Sequence, residues 1–304
     1  MNQPETVSIF SYKKDGQLTS KIYDHDFYAQ SDEIKEWIDT RAFGYVELAI
    51  IKALYKYAFL NIHSLETVLS VMLQPRLQKP KYAKNIDLLY RKGVIVKYTY
   101  KTAASELVFY GLMPGAYEYI RTYYKKYPRT HRTVHDPSDV EEVYSIPQIL
   151  ERLSLNQLHI NLAVNYRDCI KKEVYYSRMR YYLTRFFFPS VIQIKAKERL
   201  TVFSLVCPKD ESGMETYLRR LTTLTMALDT NGRDKTLLLI ACESIRQIER
   251  SYATLTNIHE LATLTPIYTI DLHTAHADGL EWLYEFRTGS GDQLSLESYD
   301  IHLS

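Results

Sequence analysis

The sequence predicts a two-domain chain of mixed α and β structure. Residues 46–92 contain three short segments whose apolar residues recur at helical spacing, and residues 94–110 contain two β-rich segments around a polar turn. After a polar stretch interrupted by prolines, strand and helix patterns alternate from residue 191 to residue 270. The length of 304 residues also suits two domains, because one domain usually has about 100–200 residues.

The first two predicted helices are short and amphipathic. Apolar residues recur at i, i+3, i+4 and i+7 from Val46 to Ala58, so this segment is expected to bury one helix face. The same spacing returns from Leu65 to Leu73. Ser64 suits the N-cap of this second helix, because its hydroxyl can accept a hydrogen bond from a free backbone N–H, and Pro75 ends the helix.

The third predicted helix lies between Pro80 and Gly93. Proline suits the first turn of a helix, glycine suits the position just past its end, and Arg91 and Lys92 suit the negative end of its dipole. The residues expected to face inward are Tyr82, Ile86, Leu89 and Tyr90. At about 100° per residue, the opposite face collects Lys81, Lys84, Leu88 and Arg91.

Basic residues concentrate around this third helix. Residues 76–101 hold eight Lys or Arg residues against a single acid, Asp87, which is a net charge of +7, whereas the whole chain carries +2. Such a concentration favours a polyanionic partner, and a helix of this kind suits duplex DNA. The alternative is a basic helix face that contacts only solvent.

A hairpin is predicted directly after the third helix. Residues 94–100 and 107–110 are β-branched and aromatic, and the small polar segment 101–106 separates them. Three helices followed by such a hairpin predict a winged helix-turn-helix. Its third helix enters the major groove, and its hairpin, the wing, contacts the DNA backbone or the minor groove.

The expected DNA contacts come from the third helix, the wing, and a helix predicted over 116–127. They are Lys79, Lys81, Lys84, Asn85, Arg91, Lys97, Lys101, Thr102, Arg121 and Lys125. The helix after the wing is also a candidate for the contact between the subunits of a homodimer. A dimer is expected because two half-sites multiply a modest affinity for one site.

Other segments complete the predicted organisation. Residues 7–12 and 18–23 flank the turn pair Asp15-Gly16 and predict a hairpin, and Asp32 begins a short helix. The second domain is predicted to contain helix 148–172, strands 191–195 and 200–207, helix 213–228, strand 236–241, helix 244–254 and a last strand 266–270. The predicted domains are an extension 1–45, a DNA-binding domain 46–127, a linker 128–147, an α/β domain 148–290, and a loose or sheet-capping tail 291–304.

Several classes of protein are disfavoured by what the sequence lacks. It has no run of about 18 apolar residues and no basic segment followed by an apolar one at its N-terminus, so we expect neither a membrane span nor secretion. Cys169, Cys207 and Cys242 are odd in number and far apart, which suits reduced thiols in a cytoplasmic protein. Because HExxH, CxxC, GxSxG and glycine-rich phosphate loops are missing, no cofactor, metal or catalytic residue is assigned.

Three groups of segments together resemble a known family. They are LYRKGVIVKY at 89–98 with YGLMPGAYEYI at 110–120, NQLHINLAVNYRDCI at 156–170, and the pair FPSVIQIKAKERLTVFSLVCPKDESGMETYLRRLTTL at 188–224 and KTLLLIACESIRQIERSY at 235–252. Their order resembles the replication-relaxation family of plasmid and integrative-element proteins. That family pairs a winged helix with a domain similar to the restriction-endonuclease-like nucleases.

The resemblance implies a sequence-specific DNA-binding protein of a mobile element. Such a protein would be accessory to DNA transfer or replication, or a transcriptional regulator, and its partners would be double-stranded DNA and a relaxase or replication initiator. An active nuclease-like sheet would carry an Asp after the proline of its first strand and a Glu-x-Lys or Glu-x-Asp on its second, to hold Mg²⁺. Here Ser190 follows Pro189, and the second strand reads Leu205-Val206-Cys207-Pro208, with Asp210 and Glu211 only in the following turn.

We therefore expect a second domain that does not cleave DNA. Two alternatives stay open. One is a metal-dependent nuclease of the restriction-endonuclease-like class, which the missing carboxylates disfavour. The other is an interaction module that recruits a relaxase or a replication initiator, since a basic winged helix can serve either kind of partner.

Overall fold

The chain is a mixed α+β protein, seen in a computed structural model. The structure describes residues 17–21, 28–73, 82–102, 106–123, 146–174, 179–181, 184–186, 191–195, 199–207, 235–256, 265–270, 283–288 and 294–299. These residues form two compact units. The first contains the described residues from 17 to 156 and from 179 to 186, and the second contains those from 157 to 174 and from 191 to 299.

The first unit begins with helices around a small antiparallel sheet. Its elements are β1 (Gln17–Lys21), α1 (Ser31–Asp39), α2 (Tyr45–Tyr57), β2 (Leu60–Asn61), α3 (Ile62–Leu73), α4 (Tyr82–Arg91), β3 (Ile95–Lys101), β4 (Glu106–Leu112) and α5 (Pro114–Tyr123). The strands pair in the order β1-β3-β4-β2. All three pairings are antiparallel, so the sheet is the hairpin β3–β4 with one further strand on each side.

The three predicted helices and the hairpin are confirmed, with one correction at a helix start. Helix α3 begins at Ile62 rather than after Ser64. The side-chain oxygen of Asn61 accepts a hydrogen bond from the Ser64 backbone N–H at 2.8 Å, so Asn61 provides the cap and Ser64 is buried inside the helix. Both residue types suit an N-cap, and the short pairing of β2 with β4 determines which one occupies it.

Helix α4 ends where its sequence predicts. Gly93 has a φ of 63°, the left-handed conformation that glycine adopts without steric cost. The Gly93 N–H donates to the Tyr90 carbonyl at 3.1 Å, and the Val94 N–H donates to the Leu89 carbonyl at 3.0 Å, which satisfies the last turn. Tyr82, Ile86 and Leu89 are buried as predicted, and Tyr90 is half-buried.

Within the described residues, the N-terminal segment forms one strand, which pairs with the hairpin β3–β4. Strand β1 lies antiparallel to β3, and residues 7–12, its predicted partner, lie outside the described ranges. Further along, the Ala29 N–H donates to the Gly93 carbonyl at 3.1 Å, and Gly115 packs directly against the Ala29 carbonyl. The predicted short helix is confirmed as α1, where Glu33 accepts a hydrogen bond from the Gln30 N–H at 2.8 Å.

A long helix contributes residues to both units. Helix α6 (Ile146–Asn165) is 20 residues long. In the first unit, the buried Asn156 amide donates to the carbonyls of Tyr57 and Phe59 at 3.0 and 2.5 Å, which satisfies two backbone groups at the end of α2. The predicted linker 128–147 lies outside the described residues except for its last two, which begin α6.

The predicted helix 148–172 was too long. The backbone leaves the helical region at Tyr166, a short 3-10 helix covers Arg167–Cys169, and β5 (Ile170–Val174) follows. The remaining elements are β6 (Met179–Tyr181), β7 (Thr184–Phe186), β8 (Val191–Lys195), β9 (Arg199–Val206), β10 (Lys235–Cys242), α7 (Ile245–Thr256), β11 (Thr265–Ile270), β12 (Tyr284–Thr288) and β13 (Leu294–Ser298). Pairing of β5 with β8 explains the error, because partners in a sheet override local helical spacing.

The second unit contains a seven-stranded mixed sheet in the order β13-β12-β11-β10-β9-β8-β5. The central strands β9, β10 and β11 are parallel, and the other pairings are antiparallel. The predicted strands 191–195, 200–207, 236–241 and 266–270 and the helix 244–254 are confirmed within two residues at each end. The predicted helix 213–228 lies outside the described residues.

Two further strands correct the prediction of a last strand at 266–270, and of the two predictions for the tail, loose or sheet-capping, they agree with the second. Strands β12 and β13 pair antiparallel at one edge of the sheet. Phe286 and Leu296 pack against the same core cluster as Tyr252 of α7, which contributes apolar burial to this pair. Cys207 and Cys242 are buried free thiols of that cluster, and Cys169 is a half-buried free thiol. Among the described residues, no helix is both long and apolar enough to cross a membrane.

Candidate nucleic-acid interface

The exposed side of helix α4 holds two of the predicted contact residues. Lys84 and Arg91 are exposed, and their spacing of seven residues places them on one stripe of the helix with Asp87 between them. The Arg91 guanidinium lies 2.8 Å from the Asp87 carboxylate, with both side chains more than half exposed. Exposed pairs of this kind contribute roughly 0–1 kcal/mol, so Arg91 can exchange Asp87 for another anion at little cost.

Asn85, one of the predicted DNA contacts, makes a hydrogen bond within the first unit. It is half-buried, and its amide donates to Oε1 of Glu47, a buried residue of α2. Oε2 of Glu47 accepts the Gly44 N–H at 2.8 Å at the start of α2. Asn85 therefore positions α4 against α2. The acid three residues after Gly44 signals the bond between Glu47 and Gly44, and the sequence carries no signal for the bond between Glu47 and Asn85.

The two lysines of β3 lie on one face of the hairpin, and Tyr98, Tyr100 and Phe109 lie on the other. Lys97, Thr99 and Lys101 alternate along β3 and therefore share one face of the sheet. Lys101 is exposed, and Lys97, Thr99 and Thr102 are half-buried. The opposite face is apolar, since Tyr100 is buried and Tyr98 stacks on Phe109 with their ring centroids 5.1 Å apart.

The cationic face of the hairpin is the one next to α4. Tyr110 is opposite Lys97 in the register of β3 and β4, so both belong to this face. Burial raises the pKa of the Tyr110 hydroxyl, and the neighbouring Tyr90 hydroxyl of α4 raises it further. Tyr90 of α4 thus lies near Tyr110, on the face that Lys97 shares.

Helix α5 contributes one exposed cation and a packed end. Arg121 is exposed and lies 3.7 Å from Glu118. At the end of the helix, the Tyr123 hydroxyl donates to the Asp32 carboxylate of α1 at 3.0 Å, so α1 already covers part of the helix proposed for a subunit contact. Three predicted contacts, Lys79, Lys81 and Lys125, lie outside the described residues.

The second unit offers no described cluster of acids. Strands β8 and β9 carry no Asp or Glu, and residues 189–190 and 208–211, where the nuclease-like pattern was compared, lie outside the described ranges. Across the part of the chain that the structure describes, no group of three or more His, Cys, Asp or Glu side chains is placed to hold a metal ion.

Comparison with models of protein families, with curated proteins and with solved structures finds no match to this chain. The resemblance to the replication-relaxation family therefore stays a prediction from the sequence.

Proposed function

We propose that the chain is a sequence-specific double-stranded-DNA-binding protein and that α2, α3, α4 and the hairpin β3–β4 act as a winged helix-turn-helix. The single observation that carries this proposal is the placement of cations. Lys84 and Arg91 line the exposed side of α4, and Lys97 and Lys101 share one face of the hairpin that follows it. The pairing of the short β2 with β4 supports it, because it ties the start of α3 to the base of the hairpin.

In this proposal α4 enters the major groove. Lys84 and Arg91 then reach phosphates or base edges, since Arg is the residue that most often reads guanine there. Lys97, Lys101 and Thr102 contact the backbone beside the groove, and Arg121 contacts an adjacent phosphate. Asn85 holds α4 in place through Glu47 rather than touching DNA. Lys79, Lys81 and Lys125, which flank the described helices in sequence, are proposed to add phosphate contacts.

The wider role follows the resemblance of the sequence. We propose a cytoplasmic protein of a mobile element that acts as a homodimer at an origin or operator, accessory to transfer or replication or as a regulator, with a relaxase or replication initiator as a protein partner. The α/β domain is proposed to be nuclease-like and inactive. The absence of carboxylates from the described strands β8 and β9 supports inactivity, and cleavage of duplex DNA with Mg²⁺ would contradict it.

Binding of duplex DNA is expected to depend steeply on salt. If five or six phosphates are neutralised, affinity should fall on the order of 10³-fold between 50 and 200 mM salt, because each contact releases condensed counterions. Fluorescence anisotropy with a labelled duplex from the DNA flanking the gene, and with a random duplex of equal length, measures this dependence. Specific recognition predicts a preference for the flanking duplex that persists at about 150 mM salt.

Two outcomes would count against the proposal. Absence of binding to either duplex at 50 mM salt would exclude DNA as the partner. Equal binding to both duplexes that disappears at 200 mM salt would leave only a basic surface without sequence preference, and protein partners would then be tested instead.

A further inference from the structure

Strand β1 widens the cationic face of the hairpin by one strand. It pairs antiparallel with β3 along its whole length, on the side of β3 away from β4. In the register, Lys21 is opposite Lys97, Thr19 is opposite Thr99, and Gln17 is opposite Lys101. The N-terminal segment, whose residues 18–23 were predicted as one strand of a separate hairpin, thus continues the sheet that holds two of the proposed DNA contacts.

Opposite positions in an antiparallel pair belong to the same face of a sheet. Positions 17, 19 and 21 therefore belong to the face of Lys97, Thr99 and Lys101, the face next to α4. Across β1 and β3, these six positions hold three lysines, two threonines and a glutamine, and Glu106 of β4 lies on the same face opposite Lys101. Hydroxyl, amide and ammonium groups are the side chains that most often contact DNA phosphates.

Lys21 and Lys97 occupy directly opposite positions in the register of β1 and β3. Like charges directly opposite each other across two strands are destabilising, and a chain selected for stability alone would avoid them. A polyanion removes this cost, since a phosphate between two ammonium groups is attracted by both.

We propose that β1 belongs to the DNA interface, where Lys21 and Lys97 form a two-lysine phosphate site on a three-stranded wing. This inference rests on the proposed DNA-binding function and extends it to the N-terminal strand. Residues 17–21 then act in recognition together with α4, and a protein shortened to residues 46–127 lacks part of its binding surface.

Substitution Lys21→Glu tests the site because it moves stability and affinity in opposite directions. A glutamate opposite Lys97 replaces a repulsive pair by an attractive one, so the Tm should equal or exceed that of the wild type. Affinity for a random 24-bp duplex should fall about eightfold or more at 0.1 M salt, because one phosphate contact is lost. The slope of log Kd against log salt should decrease by about one. If β1 had only a structural role, Lys21→Glu would not lower the affinity for DNA while the Tm stayed equal or rose.

Arg246→Glu is the matched control, since it makes the same charge change at an exposed position of α7 in the second unit. The inference is overturned if Lys21→Glu and Arg246→Glu bind the duplex alike while the wild type binds it with the expected salt dependence. A wild type that does not bind the duplex would instead overturn the proposed function itself. Should Lys21→Glu lower the Tm, Lys21→Gln supplies the same comparison, because it removes the charge without adding another.

Discussion

Reversing the charges of Lys84 and Arg91 together is expected to weaken duplex binding on the order of 10²-fold at about 0.1 M salt. Each lost phosphate contact costs roughly eightfold at that salt concentration, because log K falls by about 0.9 for each tenfold change in salt per contact. Two contacts therefore account for about 60-fold, and the repulsion between two new carboxylates and the phosphates adds to it. Anisotropy titrations of Lys84→Glu/Arg91→Glu measure this loss.

The fold should tolerate these substitutions, since both side chains are exposed and neither is part of the α4 core. The new glutamate at 91 faces Asp87 one turn away, a repulsion of only a few tenths of a kcal/mol. Arg246→Glu/Arg250→Glu is the matched control, because it makes the same charge change on exposed positions of α7. Normal DNA binding by the α4 double variant would mean that α4 is not the recognition helix.

The ends and faces of the N-terminal helices could be predicted because short-range signals determine them. Gly93 is required where the backbone of the last turn becomes left-handed, and the spacing of Tyr82, Ile86 and Leu89 determines which side of α4 is buried. These signals act within one or two turns. A single sequence contains them in full, so the exposed positions of Lys84 and Arg91 followed from it.

Contacts between residues far apart in the sequence could not be predicted. The hydrogen bond between Asn85 and Glu47, 38 positions earlier, has no signal in the sequence around Asn85. The strand character of residues 170–174 depends on β8, about twenty residues later, and overrides a helical pattern. The polar segment 17–21 carries little apolar signal of its own, and its place beside β3 is determined by the register with Lys97 and Lys101.

Substitution Gly115→Ala is expected to lower the free energy of unfolding of the first unit by roughly 3 kcal/mol, at the upper end of the usual cost of overpacking. A Cβ atom at this position would lie 1.9 Å from the Ala29 carbonyl oxygen and 3.0 Å from the Cα atom of Gln30. Both obstacles are backbone. The Ala29 N–H is bonded to the Gly93 carbonyl and the Gln30 N–H to Glu33, so the segment cannot retreat without losing hydrogen bonds.

Urea unfolding followed by the fluorescence of Trp37 measures this cost, in a Trp282→Phe background so that only the first unit is reported. Trp37 lies in α1 with its ring centroid 5.0 Å from that of Phe43, so its emission changes when α1 detaches. Gly44→Ala is the control, because its Cβ would meet only the end of the Glu47 side chain, at 3.2 Å, and should cost within about 1 kcal/mol. Equal unfolding midpoints for the Gly115 variant and the wild type would contradict the close approach.

Gly115→Ala also distinguishes a loss of DNA affinity caused by a displaced α4 from a loss caused by missing phosphate contacts. If residues 29–30 move, Gly93 loses the donor that supports the end of α4, and Lys92, which lies 5.0 Å above the Trp37 ring, loses its contact with α1. Affinity should then fall because α4 is less well positioned, while the number of phosphates neutralised stays the same. The slope of log Kd against log salt should therefore match the wild type in Gly115→Ala and decrease by about two in Lys84→Glu/Arg91→Glu.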